Sequence, residues 1–208
     1  SIKIDKILSY LIIFIPITLI TGPLIPEIII FITVLLFLYI VFIYKKFSYF
    51  KNIYSYFFLL FFVCINLKSF FVEDIFLSLK STFFYFRFYL LSLAVWYVLD
   101  VNKKFPKHFL NFFLISLFFL IFDSLIQFLL GNNILGWEKI HPLRISGFFG
   151  DELVLGSFLV RFLPLVVGLY VFVNYEKFKF KKIYFLFFII FFIYVGIVIS
   201  GDRTAFYL

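Results

Sequence analysis

Long apolar stretches alternate with short polar segments along the whole chain. Most of these stretches approach the ~20 residues that an α-helix needs to cross a bilayer. Backbone polar groups inside a bilayer must bond internally, so apolar stretches without the alternation of barrel strands predict helices. The sequence therefore predicts an all-α, polytopic transmembrane helical bundle of about seven spans, with an eighth helix beginning near Thr204. The predicted spans are Ile7–Thr21, Pro26–Tyr44, Ile53–Leu67, Thr82–Leu99, Phe109–Leu130, Leu153–Val173 and Ile183–Ser200.

Composition supports the membrane class. The 208 residues are 65% hydrophobic and only 14% charged, which is more apolar surface than a soluble domain of this size can bury. The net charge of +8 suggests nucleic acid in a soluble protein, but here it reports topology, so we expect no nucleic-acid partner. The lone Cys64 cannot form an internal disulfide.

Charge in the connecting segments predicts the orientation of the helices. Lysine-rich loops of membrane proteins stay on the cytoplasmic side. This rule places the N-terminus inside and the long, polar Gly131–Glu152 loop outside. The segments predicted to be cytoplasmic are Lys3–Lys6, Lys45–Lys51, Lys103–Lys107 and Glu176–Lys182.

Residues 1–208 are expected to form a single transmembrane domain. The chain begins at Ser1, contains no Met and stops within apolar sequence, so we expect a fragment that lacks its start and a C-terminal part. The connection Lys68–Lys80 either is a plain connector or forms a short helix in the outer interface.

Arginine is rare, and it is confined to one side. The chain has fifteen lysines and four arginines. When the predicted spans cross the bilayer in alternating directions, all four arginines lie at or beneath the outer face. Lysine serves wherever a plain positive charge suffices, whereas the planar guanidinium fork suits phosphate and carboxylate groups. This distribution predicts an anionic substrate at the outer face. The four are Arg87, Arg144, Arg161 and Arg203.

Two of these arginines lie within predicted spans, where a charge is costly. Arg87 is about one turn below the outer end of its helix and either snorkels to the interface or faces substrate. Arg161 lies nine residues after Glu152, roughly 13 Å deep at ~1.5 Å per residue, so it needs a partner. Asp123 is the predicted partner, either as a structural ion pair or as a charged pair at the floor of a water-filled cavity.

The outer loop ends in a pair of carboxylates, Asp151 and Glu152. These residues either cap the following helix or act as an acid/base pair. His141, a lone histidine before a proline, is interpreted as structural or solvated. The segment Ser200–Thr204 interrupts the last helices with a glycine and an adjacent Asp–Arg pair, which favours an anionic pocket when combined with the other arginines.

Three ordered segments carry a resemblance to a known family. RISGFFGDELVLGSFLVRFLPL (Arg144–Leu165) resembles the central signature of the O-antigen ligase/polymerase-like membrane family. The preceding FDSLIQFLLGNNILG (Phe122–Gly136) is similar to the Asp-x-x-x-Gln helix and outer loop of that family. SGDRTAFYL (Ser200–Leu208) is similar to its Ser-Gly-acid-Arg-Thr segment.

The resemblance implies an inner-membrane glycosyltransferase of the C type. It would transfer an undecaprenyl-diphosphate-linked glycan to a growing glycan or to lipid A-core, as an O-antigen polymerase or ligase in lipopolysaccharide and surface-polysaccharide biosynthesis. Carried over by motif, Asp151 and Glu152 match the acidic pair of the family. No cofactor or metal is expected, since arginine can supply the positive charge. Full-length relatives continue with a large periplasmic loop that carries a histidine implicated in catalysis, so the fragment alone is expected to be inactive. Arg87, Arg144, Arg161 and Arg203 are the implied diphosphate-binding residues.

Two other classes of function remain open. A transporter or flippase of lipid-linked oligosaccharide also needs buried arginines in a polar cavity, and a structural multi-pass subunit uses charge pairs to fix helix packing. Transporters often have related halves with polar groups at the midplane. This sequence has no such repeat, and its polar groups crowd outward, which favours the glycosyltransferase.

Overall fold

A computed structural model describes residues 2–175 and 180–207. Every regular element in this part of the chain is helical, and pairing of extended backbone is limited to the isolated bridges Asn132–Glu138 and His141–Arg144. The all-helical prediction is therefore confirmed for the described residues. The helices are α1 (Ile2–Thr18), α2 (Leu24–Ile43), α3 (Ile53–Ser69), α4 (Ile75–Phe83), α5 (Phe86–Val101), α6 (Phe105–Leu130), α7 (Leu155–Asn174), α8 (Phe180–Ser200) and α9 (Arg203–Tyr207), with 3-10 turns at Phe47–Phe50 and Gly147–Phe149.

Five helical segments of the described chain are long and apolar enough to cross a membrane. They are α2, α6, α7, α8 and the run Ile75–Val101, which contains α4 and α5. With 17 residues each, α1 and α3 are shorter. The five segments agree with a multi-pass membrane protein. In the predicted lysine-rich segment Glu176–Lys182, residues 176–179 lie outside the described chain.

The helices pack into two compact units. The first comprises residues up to Ile15 together with Pro26–Phe105. Its core includes Phe37 of α2, whose ring centroid lies 6.2 Å from that of Tyr97 in α5. The hydroxyl of Tyr97 donates to Asp5 Oδ1 at 2.8 Å, which ties α5 to α1.

Tyr49 makes a similar contact in the 3-10 turn that follows α2. Its hydroxyl donates to Asp100 Oδ2 at 2.9 Å. Burial, and secondly the hydrogen bond to the Asp100 carboxylate, raise the pKa of Tyr49 to about 12. The turn is thereby attached to the end of α5.

A set of hydroxyl and amide groups joins α3 to α4. Asp74 caps α4 by accepting a hydrogen bond from Leu77 N at 3.1 Å, so this helix begins inside the predicted Lys68–Lys80 connection. Thr82 Oγ1 donates to Asn66 Oδ1 at 3.1 Å, and Ser78 Oγ donates to Ser69 Oγ at 2.9 Å. The two helices are therefore joined by polar contacts.

The second unit comprises Pro16–Ile25 and the chain from Pro106 onward. Its core is formed by apolar side chains of α6, α7 and α8, among them Leu120, Leu159 and Ile193, none more than 2% exposed. Gly196 allows α8 to approach closely, because a Cβ at this position would lie 2.8 Å from Leu159 Cδ1. In the same unit the loop between α6 and α7 lies against the turn between α8 and α9, since Ile145 N bonds to the Ser200 carbonyl, and these segments carry most of the predicted site residues.

Candidate functional site

The loop between α6 and α7 is fastened to α6 by Gln127, whose side chain is completely buried. Gln127 Oε1 accepts a hydrogen bond from Gly147 N at 2.8 Å, and Nε2 donates to the Trp137 carbonyl at 3.3 Å. Asn133 adds bonds within the loop, since its Nδ2 donates to the Gly147 carbonyl at 3.2 Å and its Oδ1 accepts from Trp137 N at 2.8 Å. Two separate parts of the loop, at Trp137 and at Gly147, are therefore bound to α6.

Asp123 takes part in the same attachment. Its side chain is 0% exposed, and Oδ1 accepts a hydrogen bond from Ile134 N at 2.8 Å. Its Oδ2 is buried and has no hydrogen-bond partner among the described residues. The carboxylate thus serves the backbone of the loop.

The predicted ion pair between Asp123 and Arg161 does not form in the structure. Arg161 is exposed and makes no ion pair with a described residue. The reason is the direction in which Arg161 points around the axis of α7. Leu159, on the buried face of α7, is two residues away, and a step of ~100° per residue turns Arg161 to the opposite side of the helix. Since α7 begins at Leu155 rather than directly after Glu152, Arg161 lies six residues from the start of the helix, which is roughly 9 Å along it.

Arg144 is held between the loop and the α8–α9 turn. Its Nη2 donates to the Leu153 carbonyl at 3.0 Å and lies 3.7 Å from Asp202 Oδ2. The neighbouring backbone is also joined, because Ile145 N donates to the Ser200 carbonyl at 3.1 Å. Arg144 Nε is buried without a partner, while its side chain as a whole is 34% exposed. The guanidinium is therefore oriented by protein contacts but not enclosed.

Arg203 lies at the end of the α8–α9 turn, directly after Asp202 in the sequence. Asp202 Oδ1 accepts a hydrogen bond from Thr204 N at 3.2 Å, which starts α9 at Arg203. The Arg203 side chain is exposed. The Ser200–Thr204 segment and the loop segment around Arg144 are thus brought together, as the anionic-pocket interpretation requires. Among the described residues, no hydrogen bond or ion pair joins Arg161 to either segment.

Gly201 makes this approach possible. Its φ is +65°, and a Cβ would lie 2.0 Å from the Leu143 carbonyl oxygen. Any side chain would therefore collide with the loop backbone directly before Arg144. The position requires both the conformational freedom and the absent side chain of glycine.

Asp151 and Glu152 are both exposed, and their side chains bond to none of the described residues. The expectation that one of them caps the next helix is wrong. Val154 occupies the N-cap position of α7 without a side-chain hydrogen bond, because the chain continues in non-helical conformation through Leu153. The two carboxylates are left free to face solvent. His141 Nδ1 accepts a hydrogen bond from Leu143 N at 3.2 Å, which agrees with the structural interpretation of that residue.

Arg87 lies in the first unit and pairs with Glu27 at the start of α2. Arg87 Nη2 donates to Glu27 Oε1 at 2.8 Å, and Nη1 contacts Oε2, so the fork is engaged at both nitrogens. Its Cζ also lies 4.8 Å from the centroid of the Phe88 ring. A diphosphate would have to compete with Glu27 for this guanidinium.

Sequence reasoning missed Glu27 and the role of Gln127. The sequence could have indicated Glu27. The alternating direction of the predicted spans places the Gly22–Glu27 turn on the same predicted side of the membrane as the Arg87 end of its helix. For Gln127 the spacing Asp123–Gln127 puts both side chains on one helical face, but nothing in it indicates that backbone groups of the loop are their partners.

No group of three or more histidine, cysteine, aspartate or glutamate side chains arranged to hold a metal ion occurs among the described residues. Comparisons of the chain with protein-family models, with curated proteins and with solved structures find no match.

Proposed function

We propose that this chain belongs to a membrane glycosyltransferase of the C type. The reaction transfers an undecaprenyl-diphosphate-linked glycan to an acceptor glycan or to lipid A-core, as an O-antigen polymerase or ligase does. The observation that carries the proposal is the position of Arg144, oriented by Leu153 and Asp202 next to the turn that bears Arg203. This pair of cations supports binding of a diphosphate, and the resemblance of three ordered segments to the family supplies the sugar chemistry.

The proposed chemistry is a displacement at the anomeric carbon of the donor. A bond forms between the acceptor hydroxyl oxygen and that carbon while the bond to the diphosphate oxygen breaks. Negative charge develops on the departing undecaprenyl diphosphate, where fixed guanidinium groups stabilise it. Asp151 or Glu152 accepts the proton of the hydroxyl, which the free exposure of both carboxylates permits.

The proposal includes a topology. Seven spans and the start of an eighth would place the N-terminus in the cytoplasm and Gly131–Glu152 outside the inner membrane, as the lysine distribution favours. Single cysteines introduced at Lys139 and at Lys104, in a Cys64→Ser background, test it with a membrane-impermeant thiol reagent. Labelling at position 139 only from the cytoplasmic side would overturn this orientation.

The function is tested by Arg→Lys substitutions at Arg144 and Arg203 in the full-length protein, in a strain that lacks the gene. Lysine preserves the charge but cannot reproduce the bidentate fork, so glycan chain formation should fall while protein levels remain normal. The matched control is Lys139→Arg, a swap between the same two residue types in the same loop, which should leave the glycan profile unchanged. Unaltered profiles from both arginine variants would reject the diphosphate site.

The same strains separate the transferase from a flippase. Loss of a transferase leaves the lipid-linked donor at the outer face, where an added periplasmic glycosidase can cleave it. Loss of a flippase keeps the donor on the cytoplasmic side, protected from that enzyme. Protection in the Arg144→Lys strain would favour the transporter over the glycosyltransferase.

A further inference from the structure

A cavity of about 800 Å³ lies in the second unit, at the end where α6 and α8 begin and α7 finishes. Lys107 of α6 and Lys182 of α8 are among its lining residues. The lining residues in the described chain include no carboxylate. Among the described residues, the cavity therefore has two basic side chains and no acidic one.

Lys182 is oriented toward this cavity by a chain of hydrogen bonds. Its Nζ donates to Asn174 Oδ1 at 2.7 Å, and Asn174 Nδ2 donates in turn to the Tyr170 carbonyl at 2.8 Å. Tyr170 completes the cycle, because its hydroxyl donates to the Lys182 carbonyl at 3.0 Å. An ammonium group has three protons, so one hydrogen bond fixes the group and leaves two protons for a ligand.

Both lysines also lie in the first turn of their helices, counted from Phe105 and Phe180. Acidic residues are the ones that the positive end of a helix favours, and lysine there opposes the helix dipole. The cost is offset when an anion binds between the helix ends and the lysines. Charge thus points to an anionic group with several acceptor oxygens.

The cavity is also lined by the less polar part of α7. Gly168, Val171 and Phe172 belong to this lining, and a Cβ at Gly168 would meet nothing within 4 Å. Gly168 precedes Asn174 by six residues, which at ~1.5 Å per residue places Gly168 roughly 9 Å along the helix from Asn174. A phosphate ion would leave most of this space empty, whereas an amphiphile would reach both the lysines and Gly168.

We propose that this cavity binds an anionic membrane phospholipid, with the phosphate between Lys107 and Lys182 and the upper acyl chain along Gly168 and Phe172. Phe172 and Tyr175 line the cavity and are exposed, so they are accessible to a lipid from the bilayer. Basic pockets between transmembrane helices are suited to such headgroups. The inference does not depend on the proposed glycosyltransferase activity.

The test uses the full chain, purified in an uncharged detergent and stripped of lipid. Phosphatidylglycerol, phosphatidylcholine and inorganic phosphate are titrated separately, and the midpoint of thermal unfolding is followed. We expect phosphatidylglycerol to raise the midpoint saturably and at lower concentration than either of the others. An equal effect of phosphatidylcholine would overturn the proposal, and an effect of inorganic phosphate alone would replace the lipid by a small anion.

The variant Lys107→Gln/Lys182→Gln should weaken the apparent affinity for phosphatidylglycerol roughly thirtyfold, from the attraction that two lysines exert on an anionic headgroup. Lys103→Gln/Lys104→Gln removes the same charge from residues that do not line the cavity, and it should retain the wild-type affinity. Equal losses in the two variants would reduce the effect to net charge and overturn the site.

A second variant keeps both lysines and fills the space beside Gly168. Gly168→Leu places its side chain in the open space and replaces a glycine inside a helix, so it should lower the affinity for phosphatidylglycerol without lowering the unfolding midpoint of the lipid-free protein. Undiminished lipid binding by this variant would show that the acyl chain does not occupy the cavity.

Discussion

Gln127 and Gly147 are joined by a buried hydrogen bond of 2.8 Å, in which the side-chain oxygen of an α6 residue accepts a backbone N–H of the loop between α6 and α7. The loop carries Arg144 three residues before this bond. Since the other side of the Gln127 amide holds Trp137, one side chain sets the path of two distant parts of the loop. The position of Arg144 is therefore determined partly within α6.

Gln127→Leu should lower the free energy of unfolding by about 1–3 kcal/mol, because Gly147 N loses its buried acceptor, whereas the Trp137 carbonyl keeps its bond from Asn133 N. Denaturation in detergent measures the loss. Ser116→Ala is the matched control on the same helix, since the buried Ser116 hydroxyl bonds only to the carbonyl of Phe112 one turn earlier. Equal losses in both variants would contradict a special role for Gln127.

Gly201→Ala should destabilise the protein more than Gly136→Ala does. Both glycines have positive φ, so alanine meets a backbone cost of about 1–2 kcal/mol at either position. Only at Gly201 does the added Cβ also collide with the Leu143 carbonyl, whereas open space surrounds Gly136. The difference between their unfolding midpoints isolates the collision, and equal midpoints would show that the turn and the loop are not in contact.

Arg161→Gln should leave stability unchanged, because the exposed guanidinium bonds to no described residue. Asp123→Ala should cost about 1–3 kcal/mol by removing the acceptor of Ile134 N. Asp123→Asn retains an acceptor oxygen and should cost less. The effects of Arg161→Gln and Asp123→Ala should add in the double variant, and a coupling between them would restore the rejected ion pair.

Arg87→Gln and Glu27→Gln test whether the Arg87 guanidinium stabilises the fold or binds a substrate. If the pair is structural, both variants and their combination should give the same modest loss of stability, and the coupling energy should stay below about 1 kcal/mol because both groups are partly exposed. The same glycan assay then distinguishes the two roles. Lost glycan transfer in Arg87→Gln with normal transfer in Glu27→Gln would assign Arg87 to the anionic donor.

The raised pKa of Tyr49 predicts a loss of stability in alkali. In the unfolded chain the pKa of Tyr49 is the ordinary 10.0, and in the folded protein it is about 12. Its contribution is therefore complete below pH 10 and disappears as the pH rises from 10 to about 12. Stability measured against pH in the wild type and in Tyr49→Phe should differ in slope in that window. Parallel curves would contradict the raised pKa.

The sequence predicts well where the helices lie along the chain, but it predicts poorly which side of each helix faces its neighbours. Apolar stretches of membrane length have one way to satisfy their backbone, so α2, α6, α7 and α8 follow directly from composition. Pairing Asp123 with Arg161 fails because distance along the chain gives depth but not direction around the helix. The partners of Asp123 and Gln127 are backbone groups of an irregular loop, whose path no periodicity describes.

The turn that bears Asp202 and Arg203 also rests on a position far from it in sequence. A Cβ on Gly156 would lie 2.5 Å from Ser200 Oγ, 2.7 Å from Asp202 Cβ and 3.0 Å from Ala205 Cβ. A substitution at Gly156 would therefore displace the turn that bears Arg203 before it unfolded α7. Saturation mutagenesis scored separately for abundance and for activity should therefore find Gly156 depleted in the activity screen at expression levels that the cell still tolerates.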